Sequence, residues 1–176
     1  TEFAPGIFEA VVEAGAESGL KPAGYHALEH LRSERAYREY ELDLTPEDTP
    51  FEAGLGFTVR LDKPGGFTGR EALLRQKEVG PLAKRLVLFK LKDPEPVLFH
   101  EEPILRDGGI VGYISSGAYS FTLGRSVGMG YVHHAAGVTK DFVESGEWEI
   151  EIACERFPAE ASLRAFFDPA GERVKG

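Results

Sequence analysis

Arg85-Leu86-Val87-Leu88-Phe89-Lys90-Leu91 is the stretch on which the fold turns. It is short and largely apolar and reads as a strand, and the Asp and Pro residues of 93–96 break it. Beyond it, residues 103–106, 110–115, 126–132, 147–153 and 159–167 are further strand candidates. Asp107-Gly108-Gly109 suits a hairpin turn, because glycine tolerates positive φ. Six strand candidates with few helices after residue 84 predict a small barrel or sandwich.

Upstream the character differs. Pro5 suits the first turn of a helix, and Ile7, Phe8, Val11 and Val12 then recur at helical spacing until Gly15 and Gly19 interrupt them. A second helix is expected over 23–37, with Ala27, Leu28 and Leu31 on one stripe and Glu29, Arg32, Ser33 and Glu34 as polar neighbours. Residues 43–50 form a polar, proline-punctuated loop, and 54–61 reads as a short strand after a glycine-permitted bend. Thr68-Gly69-Arg70-Glu71 has the spacing of a capping box, and the helix it opens ends at Gly80-Pro81. The expected class is therefore α+β: a partial α/β region over 1–80, then a small antiparallel β-barrel over 81–176.

Composition narrows the function. The 176 residues carry 20 basic and 29 acidic side chains, a net charge of −9, which argues against a surface that tracks nucleic-acid phosphates. No apolar run approaches the ~20 residues of a membrane span, and the N-terminus lacks the basic and apolar regions of a signal peptide. The single cysteine, Cys154, cannot form an internal disulfide and reads as an inert buried thiol on a strand, which fits a reducing cytoplasm or organelle matrix. No Cys/His cluster suggests a metal, and His133-His134 at a strand end would point to opposite faces. The chain also lacks an initiator Met, as expected of a processed product or a fragment.

Residue order is more informative than composition. Pro22-Ala23-Gly24-Tyr25-His26-Ala27-Leu28-Glu29-His30-Leu31-Arg32-Ser33-Glu34, then Asp43-Leu44-Thr45, Thr49-Pro50-Phe51-Glu52-Ala53-Gly54-Leu55, Asp62-Lys63 and Phe67-Thr68-Gly69-Arg70-Glu71-Ala72-Leu73 follow one another. Glu102-Pro103-Ile104, Gly112-Tyr113-Ile114-Ser115-Ser116-Gly117 and Gly128-Met129-Gly130-Tyr131-Val132 come later. Taken in order, they resemble the C-terminal half of the aminomethyltransferase (glycine cleavage T-protein) superfamily. Leu28 stands where glycine-cleavage proteins carry an arginine. With the Asp168-Pro169-Ala170-Gly171 ending, it looks more like the folate-binding part of dimethylglycine and sarcosine dehydrogenases.

The resemblance implies that 1–80 is the C-terminal part of a folate-binding domain and 81–176 the family's C-terminal barrel. It implies transfer of a one-carbon unit (aminomethyl, methylene or methyl) from a small amine donor to tetrahydrofolate, with no metal, nucleic acid or membrane involved. The family's central carboxylates lie upstream of this stretch, so no catalytic residue is expected here. The upstream half of the same protein, or a catalytic subunit, is the expected partner. The competing reading is a non-catalytic barrel module that packs on a catalytic partner and shields its folate site.

Four residues are candidates for folate binding. Tyr37 matches a family position that faces the folate; alternatively it ends a helix against the core. Arg32 and Glu34 match the family's Leu-Arg-x-Glu pattern, and a structural link to the following loop competes with a ligand role. Arg173 has the fork that grips a glutamate tail, against the alternative of a solvated terminus.

Overall fold

A computed structural model describes residues 2–175. Six antiparallel strands close into a barrel: β1 (Lys84–Leu91), β2 (Pro103–Arg106), β3 (Gly109–Ser120), β4 (Arg125–His133), β5 (Trp148–Ile152) and β6 (Glu155–Ser162). The order around it is β1-β4-β3-β2-β5-β6, and β6 pairs back onto β1. Closure leaves no unpaired edge for another strand to join.

The near-continuous apolar character of β1 has a physical cause. Val87, Phe89 and Leu91 point into the barrel with Ile104, Ile114, Val132, Trp148 and Ile150. Leu86 and Leu88 face outward, yet they are covered by Ala36 and Met129, with Tyr131, Ala165 and Phe166 packed alongside. A strand buried on both faces has no reason to alternate with polar residues. At the β3–β4 seam a Cβ built on Gly130 would lie 2.2 Å from the carbonyl oxygen of Tyr113, so only glycine fits there.

The front part supplies helices and turns: α1 (Ala4–Gly15), α2 (Tyr25–Glu34) and α3 (Arg70–Val79). Two short helices follow in the barrel region, α4 (Lys140–Glu144) and α5 (Glu172–Lys175). Among the described residues before β1 the sole β contact is an isolated bridge between Tyr40 and Leu44. The strand expected over 54–61 is therefore absent: Gly56–Thr58 is a single 3-10 turn and Phe57 lies exposed, because no strand lies beside it to bond.

Other local expectations also shift. Helix α2 stops at Glu34, short of Tyr37. Ala36 adopts φ +55, and the amides of Ala36 and Tyr37 bond the carbonyls of Ser33 and Arg32, which closes a Schellman motif. Helix α3 starts at Arg70 with Gly69 as its left-handed N-cap, so Glu71 falls one position too early for a capping box and reaches Arg70 instead. The strand expected over 159–167 ends at Ser162. Ala153 and Cys154 form the two-residue β5–β6 turn with φ +50 and +67, which leaves Cys154 exposed rather than buried in a strand.

The stripes on α2 are inverted. Its buried residues are Arg32, Ser33 and Glu34, while Tyr25, Leu28 and Leu31 face solvent. Helix α1 likewise buries no residue and exposes Ile7, Phe8 and Val11.

Candidate functional site

The barrel holds α2 by its polar stripe. Arg32 donates from Nη1 to Asp43 Oδ2 at 2.9 Å and to the Tyr37 carbonyl at 3.3 Å. It also donates from Nε to Glu29 at 2.9 Å and from Nη2 to Ser116 Oγ on β3 at 3.0 Å. Glu39 lies 3.0 Å from Nη2 as an ion pair, without hydrogen-bond alignment. Burial opposes the charge on this guanidinium, but Glu29, Asp43 and Glu39 outweigh it and hold the pKa above the ordinary arginine value.

Glu34 is engaged just as fully. It accepts from Ser120 Oγ at 2.8 Å, the Thr122 amide at 3.0 Å and Thr122 Oγ1 at 2.9 Å. Burial alone would raise its pKa, yet these donors and nearby His30 hold the carboxyl below the usual range. Arg32 and Glu34 thus spend their polar atoms on the barrel and the 36–43 loop.

Tyr37 is presented differently. The reversal at Ala36 turns the chain out of the helix, so the Tyr37 side chain stands 54% exposed at the mouth of a cleft of about 460 Å³. Arg35, Arg38, Phe57, Leu163 and Asp168 also line this cleft. The Arg35 guanidinium sits 5.8 Å from the Tyr37 ring centroid and is pinned by the carboxylate and carbonyl of Asp168. Burial would raise Asp168, but the amides of Glu172 and Arg173, together with Arg35, keep it below the ordinary value.

Arg38 lines this cleft with no acid partner among the described residues. It donates to the carbonyls of Ala53 at 3.1 Å and Ala36 at 2.7 Å, and burial, partly offset by Asp43, lowers its pKa below the arginine norm. Arg173 reaches the cleft's edge through its backbone: its amide bonds Asp168 at 3.2 Å, while its guanidinium lies 5.1 Å from the centroid of the Phe167 ring.

Of the four sequence candidates, Tyr37 lines the cleft, Arg173 meets Asp168 at its rim, and Arg32 and Glu34 face the barrel. Arg35, Arg38 and Asp168 were not singled out from the sequence. Two arginines flanking an aromatic in Arg35-Ala36-Tyr37-Arg38 were the available signal. The chemistry on offer is a flat aromatic surface beside guanidinium groups, suited to a planar ligand with a carboxylate. Among the described residues no group of three or more His, Cys, Asp or Glu is placed to hold a metal, and no helix is long and apolar enough to cross a membrane.

Comparisons with known proteins agree along the chain. Residues 84–168 match the glycine cleavage T-protein C-terminal barrel domain, and residues 1–63 match the GCVT N-terminal domain. The chain is 43% identical over 175 residues to 4-methylaminobutanoate oxidase (formaldehyde-forming) of Paenarthrobacter nicotinovorans, covering 99% of this chain and 20% of that protein. It is 42% identical over 172 residues to mitochondrial sarcosine dehydrogenase of Homo sapiens, covering 97% of this chain and 18% of that protein. It therefore spans about a fifth of the length of these relatives. The crystal structure of the glycine cleavage system aminomethyltransferase T from Bartonella henselae superposes with a TM-score of 0.75 at 24% identity, over 94% of this chain and 44% of that one. That likeness shows the shared fold. The chain belongs to the glycine cleavage T-protein family.

Proposed function

We propose that this chain is part of a tetrahydrofolate-dependent one-carbon transferase acting on an amine-type donor, and that the Tyr37 cleft is one wall of its folate pocket. The observation that carries this reading is the half-exposed Tyr37 ring beside Arg35 and the acid-free Arg38. Their chemistry fits a planar acid such as folate. When bound, tetrahydrofolate supplies the nitrogen nucleophile that takes up the carbon unit.

The chain's own residues bind and orient. Tyr37 packs against the flat part of the ligand, Arg38 meets a carboxylate, and Asp168 keeps Arg35 aimed over the ring. Covering the cleft excludes water from a centre prone to hydrolysis. None of the lining residues is an unpaired carboxylate able to act as a proton acceptor, so the proton-handling groups belong to the upstream half of the protein or to a catalytic subunit. The apolar stripes of α1 and α2, turned to solvent, support such a partner, since contiguous exposed apolar surface marks an interaction face. A cytoplasmic or matrix location follows the single unpaired cysteine.

Calorimetric titration with tetrahydrofolate, on this chain and on a longer protein that contains it, tests the reading. Tight binding by the longer protein and weak or no binding by the chain alone is expected. Equal affinity would overturn the claim that the pocket needs a partner. No binding by either would overturn the folate assignment and favour the non-catalytic module.

A further inference from the structure

A separate cavity, of about 720 Å³, lies between the turns of residues 58–69, α3 and the Thr49-Pro50 corner, and it is of a size that holds small molecules. Pro50, Val59, Phe67 and Leu73 give it apolar walls, and Arg60 and Lys63 bring two cations to its lining. The walls are tied together. Arg70 Nε donates to the Leu61 carbonyl at 2.7 Å, and Gln76 Nε2 on α3 donates to Thr49 Oγ1 at 3.0 Å. The Lys63 amide bonds the Arg60 carbonyl at 3.2 Å and the Gly66 amide bonds the Lys63 carbonyl at 3.0 Å, so the turns that carry the cations are closed by their own backbone.

Charge here runs against that of the molecule. Residues 60–85 hold 7 of the 20 basic side chains and 3 of the 29 acidic ones, a balance of +4, while the other residues, with 13 basic and 26 acidic, carry −13. Asp48 also lines the cavity, but its carboxylate is committed to Lys84 Nζ at 2.5 Å and to the amide and hydroxyl of Thr45 at 2.8 and 2.9 Å. Lys63 is exposed and has no ion pair among the described residues, and Arg60 meets Asp62 at 3.8 Å between two exposed side chains. Both cations are therefore open to a ligand. An exposed ion pair is weak, so the apolar walls supply most of the affinity and the cations select the ligand's sign.

We infer that this cavity binds a small monocarboxylate with a compact apolar body, an arylcarboxylate in size and shape. The ring lies against Phe67, Pro50 and Leu73, and Lys63 and Arg60 hold the carboxylate. A neutral arene keeps the walls and loses the cations, whereas a bare acid keeps the cations and loses the walls. The site shares no lining residue with the Tyr37 cleft and does not rest on the folate reading.

The test is an NMR titration of the 176-residue chain with benzoate, benzyl alcohol, benzylamine and acetate, following the amides of Lys63, Thr68 and Leu73. Saturable shifts with benzoate are expected, with a dissociation constant on the order of a millimolar. Benzyl alcohol should bind at least about threefold more weakly, and neither benzylamine nor acetate should saturate. Lys63→Gln and Arg60→Gln are each expected to weaken benzoate about two- to fivefold, the range of one exposed ion pair, and the two together about tenfold. Both side chains are exposed, so neither change disturbs the core. Absence of saturable benzoate binding, shifts confined to residues outside the cavity, benzyl alcohol binding as tightly as benzoate, or an affinity unchanged in the double variant overturns the proposal.

Discussion

Arg32 Nη1 and Asp43 Oδ2 form a 2.9 Å ion pair in which the carboxylate is wholly buried and the guanidinium side chain only 9% exposed. Ser115 on β3 donates to the other oxygen of Asp43, and Tyr131 on β4 donates to the Asp43 carbonyl at 3.1 Å. One carboxylate thus locks α2, the following loop and the barrel together. Arg32→Met is expected to cost about 3–5 kcal/mol, because it strands a buried charge. Urea unfolding of both chains measures this, and a loss under about 1 kcal/mol would mean that the cluster is solvated and does not hold the helix.

The Glu34 carboxyl is held below its ordinary range, so its contribution must depend on pH in a definite direction. A depressed folded-state pKa means that stabilisation is full above the unfolded value of about 4.3 and disappears as pH falls through the lower folded value. Glu34→Gln should therefore be less stable by about 1–3 kcal/mol at pH 7, with the gap closing below about pH 4. Denaturation curves across that range decide it, and a gap independent of pH would assign the effect to packing alone.

Gly130→Ala places a methyl 2.2 Å from the Tyr113 carbonyl oxygen and 2.9 Å from Ile104 Cδ1. Backbone on one side and a core side chain on the other leave little room to yield, so a loss of about 3 kcal/mol or more is expected from overpacking. Gly6→Ala, on a helix with nothing within 4 Å of the new methyl, is the matched control and should be neutral or mildly stabilising. Thermal unfolding of the pair reads the contrast.

In a longer protein that contains this chain, Tyr37→Ala is expected to weaken tetrahydrofolate binding by about 1–3 kcal/mol, the scale of losing an aromatic stacking partner. Tyr37→Phe should retain most of the affinity if the ring face does the work. An unchanged dissociation constant in Tyr37→Ala would remove the residue from the pocket.

Cys154 occupies an exposed turn, so one thiol should react with Ellman's reagent at once in the native chain. A thiol that reacts only after denaturation would contradict the β5–β6 turn geometry. Its placement also shows where reading by neighbours fails. Ile152 and Ala153 suggested a continuing strand, but the pairing of Ile152 with Glu155 makes 153–154 the two-residue connection, and register is set by the partner strand.

Family membership, the antiparallel barrel and the position of its first strand were legible in the amino-acid order, because periodicity, turn residues and motif succession are local properties. What α2 turns inward was not. Leu28 and Leu31 have the pattern of a core stripe, yet the barrel presents Ser116, Ser120 and Thr122, and desolvated polar partners draw Arg32 and Glu34 inward instead. The Tyr37 cleft likewise needed tertiary structure, since Arg35 and Asp168 are 133 residues apart and meet only when the chain returns from the last strand to the end of α2. Sequence alone determines which elements can form; which side chains are buried, paired or left unanswered depends on what the closed barrel sets opposite them.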